Sequence, residues 1–472
     1  MSRVPNPQLS FADLQLQAHG VRLNPTLQRI ANFLDKNSDV VELVRKDLER
    51  GLKNPHAGRH GINSAQVLRS LILMRVKNWD YRELRERVND GFTLRAFTQF
   101  DSQAVPLHDA FNRAFNRLTP ATLAAVNQLV VQAAVELGLE DGKQLRVDTT
   151  VVETNIHHPT DSTLLWDSVR TITRLVDDLD EKLPHGVKGF IHRTLSARRR
   201  MQEIQRMARQ QREQQPPKYR RLIRITEQVV RNAKQVIGMA KRVRRIDELT
   251  RAAINRICTE ITSFCQLANR VIDQTRRRVL QGETVSAEEK VYSIFEPHTD
   301  LIKRGKIQKP VEFGHKVFLA ESARGLITEY RVLKGNPADS VQVQASLEHH
   351  QQTFQHVPES YAGDRGFHSA ENVQKCKDAG VSLVCLPQRG GQKTAEQEEL
   401  ESSRPFKKGQ KFRAGIEGRI SVLFRGRGMK RCLFRGRERF EMLVGAAVLA
   451  NNLMRIADLL EKRKPNRRRA AA

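Results

Sequence analysis

Ten residues, 144–153 (QLRVDTTVVE), constrain the fold of this chain more than any other stretch. Leu145, Val147, Thr149 and Val151 alternate with Arg146, Asp148, Thr150 and Val152, the period of two that belongs to a strand. On both sides the sequence repeats with helical spacing instead. A strand needs partners for its amides and carbonyls, and the next strand signals come only at 311–321 and 325–333, linked by a hairpin-like Ser322-Ala323-Arg324-Gly325. The helical stretch between them therefore reads as an insert within one sheet. After the turn at 335–339 the pattern gives a helix (340–354), a short strand (360–364), a helix (370–379) and a strand (381–386). The order β, helical insert, β-β, α, β, α, β and further helices describes a mixed α/β sheet.

Residues before the first strand read as helical throughout. Pro25-Thr26 opens an amphipathic run, and Ser64 is placed to cap a helix carrying Val67, Leu68, Leu71 and Ile72. Asp80 with Glu83 is a capping-box-like start for 81–88, and Thr119-Pro120 opens a helix that ends near Gly138. The two short helices across a three-residue turn resemble a helix-turn-helix, with Arg69, Arg75, Arg82, Arg85 and Arg95 on them or beside them. Within the insert, Val229, Ala233, Val236 and Ala240, and then Ile254, Ile257, Ile261, Phe264, Ala268 and Val271, follow the three-and-four spacing of helices packed on one another. One continuous helix over 218–281 would run about 95 Å at ~1.5 Å per residue, so a break or fold-back is expected. The expected partition is an N-terminal helical DNA-binding domain (1–140), the first part of the catalytic core (141–163), a basic helical insertion (164–290), the rest of the core (291–460) and a basic disordered tail (461–472).

Charge narrows the class of partner. Lys and Arg number 81 against 53 Asp and Glu, a formal net charge of +28. An excess of that size repels itself unless it meets a polyanion, either nucleic acid or an anionic membrane surface. No run approaches ~18 consecutive apolar residues. The best stretch, 443–460, is interrupted by Asn451, Asn452 and Arg455, and the first residues lack the apolar segment of a secretory signal. The five cysteines form no CxxC pair and read as reduced thiols of a cytosolic protein, with no zinc site.

Three acids carry the candidate chemistry. Asp148 lies in the first strand, Asp364 at the end of a later one before Arg365-Gly366, and Glu417 in a segment that reads as a helix start. Converging on one sheet edge, they would suit two hard divalent cations, Mg²⁺ or Mn²⁺. Such a pair activates one oxygen and stabilises the leaving one in an in-line displacement at phosphorus. Arg365 stands beside Asp364, and Arg413 and Arg419 flank Glu417. Arg425 and Lys430 lie in a segment, 424–440, that interleaves glycine, arginine and phenylalanine. All five are candidate phosphate contacts, with Arg82 and Arg85 as further DNA contacts. Glu441 competes with Glu417 but sits in a more apolar helix. Asp339 reads as a helix cap, and His315 as a satisfied core histidine.

The segments LRVDTTVVETNIHHPTDS, FGHKVFL, KGNPADS, YAGDRGFHS and RAGIEGRISVLFRG resemble the DDE transposases of bacterial insertion sequences, most nearly the ISNCY-type group. The resemblance runs from about residue 54 to 460. It implies an RNase H-like core with Asp148, Asp364 and Glu417 as its metal-holding acids. It also implies binding of an element's terminal inverted repeats, followed by metal-dependent strand cleavage and strand transfer. A homodimer in a synaptic complex, in the bacterial cytoplasm at the nucleoid, follows on the same ground. Related transposases carry Tyr-x2-Arg-x3-Glu-x6-Lys around the glutamate. Here Arg413 and Glu417 match, but Gln410 takes the tyrosine position and Phe424 the lysine position, with Arg425 or Lys430 as substitutes for the lysine. The alternatives are a structure-specific metal-dependent nuclease and a non-catalytic nucleic-acid-binding relative.

Overall fold

A computed structural model describes residues 20, 22–54, 61–207, 214–244, 246–303 and 310–463. The tail beyond 463, most of the Gly/His-rich break after Asn54, and Arg245 lie outside the described residues. The strands are β1 (Gln144–Thr154), β2 (Asp300–Lys303), β3 (Val311–Ser322), β4 (Ile327–Val332), β5 (Ser360–Ala362), β6 (Leu383–Cys385) and β7 (Arg431–Cys432). The chain divides into two compact units, one made of 1–153 with 316–472 and the other of 154–315.

In the first unit the strands run in the order β3-β1-β5-β6, with β4 on β3 and β7 on β1. β3 and β4 are antiparallel, and Gly325 takes φ +86° in their connection, a conformation that glycine adopts without cost. β1, β5 and β6 are parallel, with Arg146 beside Ala362 and Ala362 beside Cys385. Alternation decides the two faces. Leu145 and Val147 of β1 join Phe318, Val343, Leu347, Tyr361 and Cys376 in one core layer. Val152 points the other way, into a layer with Ile416, Leu423, Phe440 and Val444. Asp148 shares the parity of Val152, so it faces the layer that holds the Arg404–Gly426 helix.

The helices of residues 25–136 belong to this same unit and share a core with the C-terminal helix. Their ends follow capping chemistry, with some shifts from the sequence reading. Asn63, not Ser64, caps Ser64–Lys77 and forms a reciprocal box with Gln66. Asp80 caps Tyr81–Asp90 and Thr119 caps Pro120–Glu136 as expected. Between these two lies a short helix, His108–Phe115.

The C-terminal helix, Arg437–Arg463, is long and apolar enough to cross a membrane by length and composition alone, but 78% of its apolar window is buried within the protein. The asparagines that interrupt it are satisfied core groups. Asn452 is fully buried, accepts from the Ile327 amide at 2.9 Å, and donates to the Ile327 carbonyl at 2.8 Å and to Asn127 at 2.9 Å.

The second unit is built from the helices Asp161–Asp180, Thr194–Arg206, Gln215–Arg242 and Glu248–Thr275. The expected break falls at 243–247, where Asp247 caps the next helix. Val229, Ala233, Val236, Ala240, Ile254, Ile257, Ile261, Ala268 and Val271 are all buried in its core, and Phe264 packs against it. Thr160 caps the first of these helices through a box with Thr163. Asp161 pairs with Arg278 at 2.7 Å and accepts from Gln274 at 3.1 Å. β2 had no strand signal of its own; its four residues are held only by pairing with the start of β3, Asp300 opposite Gly314. All five cysteines are buried, and among the described residues no group of three His, Cys, Asp or Glu is set to hold a metal ion.

Candidate active site

Register builds the site. Arg146 and Ala362 are paired in the parallel ladder. Two residues further along the two chains stand Asp148 and Asp364, and a step of two keeps Asp148 on the face of Arg146. Each aspartate fixes one oxygen on a backbone amide. Asp148 Oδ1 accepts from the Thr149 amide at 2.8 Å, and Asp364 Oδ1 accepts from the Gly366 amide at 2.8 Å. Gly366 is required there, since a Cβ would lie 2.8 Å from Asp339 Oδ2 and 3.0 Å from Asp364 Oδ1.

The third acid arrives on the Arg404–Gly426 helix, in the middle of that helix and not at its start as the sequence suggested. Arg413 Nη2 lies 2.9 Å from Asp148 Oδ2 and 3.8 Å from Asp364 Oδ2, and its Nη1 lies 3.3 Å from Glu417 Oε1. One guanidinium thus touches all three acids named from the sequence. They differ in exposure. The Asp148 side chain is 9% exposed, Asp364 39% and Glu417 68%, so the site opens from a buried strand toward solvent.

A second charge cluster holds the helix in place. Glu321, at the end of β3, is fully buried between two arginines. Arg146 meets its Oε2 at 2.8 Å, and Arg419 donates to its Oε1 at 2.9 Å. Arg146 also donates to the Phe412 carbonyl at 2.7 Å and lies 4.8 Å over the Phe412 ring, while Arg419 reaches Asn451 Oδ1 at 3.2 Å. Gly415 lets the helix approach, because a Cβ there would collide with the Arg146 guanidinium. Gln410, at the position where relatives carry tyrosine, donates to the carbonyls of Gly363 (3.2 Å) and Cys385 (2.7 Å). It ties the helix to the strand end that carries Asp364.

Other expected contacts fall in different places. Arg365, Arg425, Lys430 and Arg82 are exposed and form no ion pair among the described residues; Arg85 is half-buried. Arg419 is committed to Glu321. Arg69 and Arg75 are buried, Arg69 against Asp35 at 2.5 Å and Arg75 on the Trp79 carbonyl at 2.9 Å, so neither presents a cation at the surface. Arg95 likewise binds the carbonyls of Asn89, Asp101 and Gln103. Asp339 does not act as a cap. Its Oδ1 accepts from Thr149 Oγ1 at 2.8 Å and pairs with Lys316 at 2.8 Å, beside the Asp364 turn. Glu441 pairs with Arg437 at 2.5 Å, away from the three acids. His315 is fully buried and bonded to His298 and Asp300. The 424–440 segment is mixed: Phe440 is buried, Phe434 packs 5.9 Å from Tyr81, and Arg425, Lys430 and Arg435 are exposed.

Sequence reasoning missed Arg146, Glu321 and Gln410. A signal for two of them was present: a charged residue two positions from Asp148 in the same strand, and an acid closing the apolar run 317–320, each need a buried partner.

The donor set suits a hard divalent cation, since it offers only carboxylate oxygens. As placed, the Arg413 guanidinium bridges them. A family model described as Transposase domain (DUF772) matches residues 21–117, and one described as Transposase DDE domain matches residues 270–453. Asp364 and Glu417 fall inside the second match and Asp148 before it. Searches of curated proteins and of solved structures returned no match.

Proposed function

We propose that this chain, a member of the DDE transposases of insertion sequences, binds the terminal inverted repeats of its element, cleaves a strand at each end and joins the freed end to target DNA. The observation that carries this reading is the contact of one guanidinium with Asp148, Asp364 and Glu417, three acids from three distant parts of the chain. We read the core as RNase H-like. The antiparallel β3–β4 hairpin, the parallel β1, β5 and β6, and the long insert between β1 and β3 support that.

Asp148, Asp364 and Glu417 would hold the divalent ions, Mg²⁺ or Mn²⁺, that transposases of this kind generally use. Such ions, when bound, activate the attacking oxygen and stabilise the leaving one. The chain's own groups do the rest. The backbone amides of Thr149 and Gly366 hold the inner oxygens of the two aspartates, so that their outer oxygens are left to face a cation, as they face Arg413 here. Gln410 and the Glu321 cluster set the helix that carries Glu417. Arg365, Arg425 and Lys430 contact phosphates near the reacting strand, and Arg82 and Arg85 on the Tyr81–Asp90 helix and its neighbours contact the end duplex. In the insert, Arg198, Arg199, Arg220, Arg221, Arg242 and Arg244 are exposed and form no ion pair among the described residues, which suits a phosphate backbone. By contrast Arg276, Arg277 and Arg278 are engaged with Glu227, Glu283, Glu289 and Asp161. Two element ends must react together, so a homodimer acts in the synaptic complex, in the bacterial cytoplasm. The ISNCY-type assignment rests on the quoted motifs.

The test uses the full chain, Mg²⁺ and labelled duplexes of the element's end, with a pre-cleaved end for the joining step. Wild-type protein should cleave and join. Asp148→Asn should lose both by about 10³-fold or more, as removal of a group aimed at developing charge does, and should still bind the end. Unchanged activity in that variant rejects the site. Cleavage without joining makes the chain a nuclease, and binding alone makes it a non-catalytic relative.

A further inference from the structure

The inner oxygens of Asp148 and Asp364 are taken by backbone amides, and their outer oxygens both face one atom, Arg413 Nη2. A divalent ion held by these two aspartates has to approach those same outer oxygens. Two cations drawn to the same oxygens exclude each other, the more so where burial thins the solvent screening.

Arg413 is also anchored differently from its neighbours. Arg146 and Arg419 each hold a carbonyl-type acceptor in addition to Glu321. Among the described residues the hydrogen bonds and ion pairs of Arg413 run to the three acids, and its Nε is buried with no partner there. The side chain is 17% exposed, so it has an outward path.

Resting on the reading of the site given above, we propose that Arg413 is an exchangeable counter-cation of the three acids, which a divalent ion must displace and which a DNA phosphate draws away. Before DNA arrives the guanidinium offsets the repulsion among the carboxylates and keeps divalent ions weakly bound. An incoming phosphate gives it a bidentate partner of better geometry. The metal then takes the place of the guanidinium at the outer oxygens of Asp148 and Asp364. Metal and DNA therefore bind with positive coupling, and by linkage each raises the affinity of the other equally.

The probe is Mn²⁺, titrated into the full-length protein without DNA and followed by electron paramagnetic resonance. Arg413→Gln should bind Mn²⁺ at least about tenfold more tightly than wild type, the scale on which one neighbouring charge acts. Arg413→Lys, which keeps the charge but not the fork, should fall between, and it also serves should Arg413→Gln not fold. A short duplex of the element's end should tighten Mn²⁺ binding in wild type and do so much less in Arg413→Gln. Equal or weaker Mn²⁺ binding by both variants overturns the proposal. Asp148→Asn separates this from the site itself: if it binds Mn²⁺ as wild type does, the three acids are not the metal site and the underlying reading fails.

Discussion

The Arg404–Gly426 helix carries two charge clusters of opposite composition. Around Arg413, one guanidinium faces three carboxylates at an edge open to solvent. Around Glu321, one carboxylate faces two guanidiniums and is fully buried. The second cluster is closed. Both oxygens of Glu321 are taken, and both arginines have a further acceptor. Such a cluster fixes position, because moving any member strands a buried charge. The first is unbalanced toward acid and half-open, which is what a site needs if it is to exchange one cation for another. The helix is therefore held at one point so that it can be reactive at another.

The contrast breaks most sharply at Glu321. Glu321→Ala leaves Arg146 and Arg419 as uncompensated buried cations and should cost about 3–5 kcal/mol, read as a lower urea midpoint at unchanged slope. A loss below about 1 kcal/mol, the range of a surface pair, would make the two clusters equivalent.

Glu329 on β4 is an intermediate case, a buried carboxylate with a single arginine. Arg331 lies 2.9 Å away, while Oε2 has no partner among the described residues. Burial pushes this carboxyl up to about 7 from an ordinary 4.5, with Arg331 opposing only in part. The unfolded chain then loses the proton near pH 4.5 while the folded chain keeps it to about 7. The group's contribution is complete below the lower value and is lost as pH rises through the upper one. Stability should fall by on the order of 1–3 kcal/mol across that window, and Glu329→Gln should flatten the fall. A profile that is the same in both proteins would show that one arginine suffices to keep a buried acid ionised.

The sequence made the strand order and the three acids legible because both are written in local pattern. Period-two alternation marked β1, β3 and β4, and Asp148 stood out as an acid within such a run. β2 escaped because DLIK carries no alternation of its own and is a strand only through pairing with β3. The cap expected at Ser64 fell one residue earlier, at Asn63, because both adjacent side chains could have capped. Buried cations were the deeper failure. Arg69, Arg75 and Arg419 look like Arg82 in a sequence, and only their partners across the fold, Asp35, the Trp79 carbonyl and Glu321, separate a structural arginine from a DNA-facing one. Arg413 was named as a phosphate contact, but its place among the acids depends on a helix whose packing no local pattern encodes.

The smallest expected change in stability comes from one of the three acids that carry the proposed chemistry. Glu417 is 68% exposed and meets Arg413 at 3.3 Å within its own helix, one turn away. An i,i+4 pair of that kind contributes about 0.3–0.5 kcal/mol, and glutamine is as good a helix former as glutamate. Glu417→Gln should therefore unfold within about 0.5 kcal/mol of wild type. Its cleavage of the element's end should nonetheless fall by about 10²-fold or more, on the scale seen when a group stabilising developing charge is removed. Unfolding and cleavage measured on the same preparation test both halves. A large loss of stability would place Glu417 with Glu321, as a residue that holds the helix. An unchanged cleavage rate would leave Asp148 and Asp364 without their third partner, and the half-open cluster would then be no more than a surface ion pair.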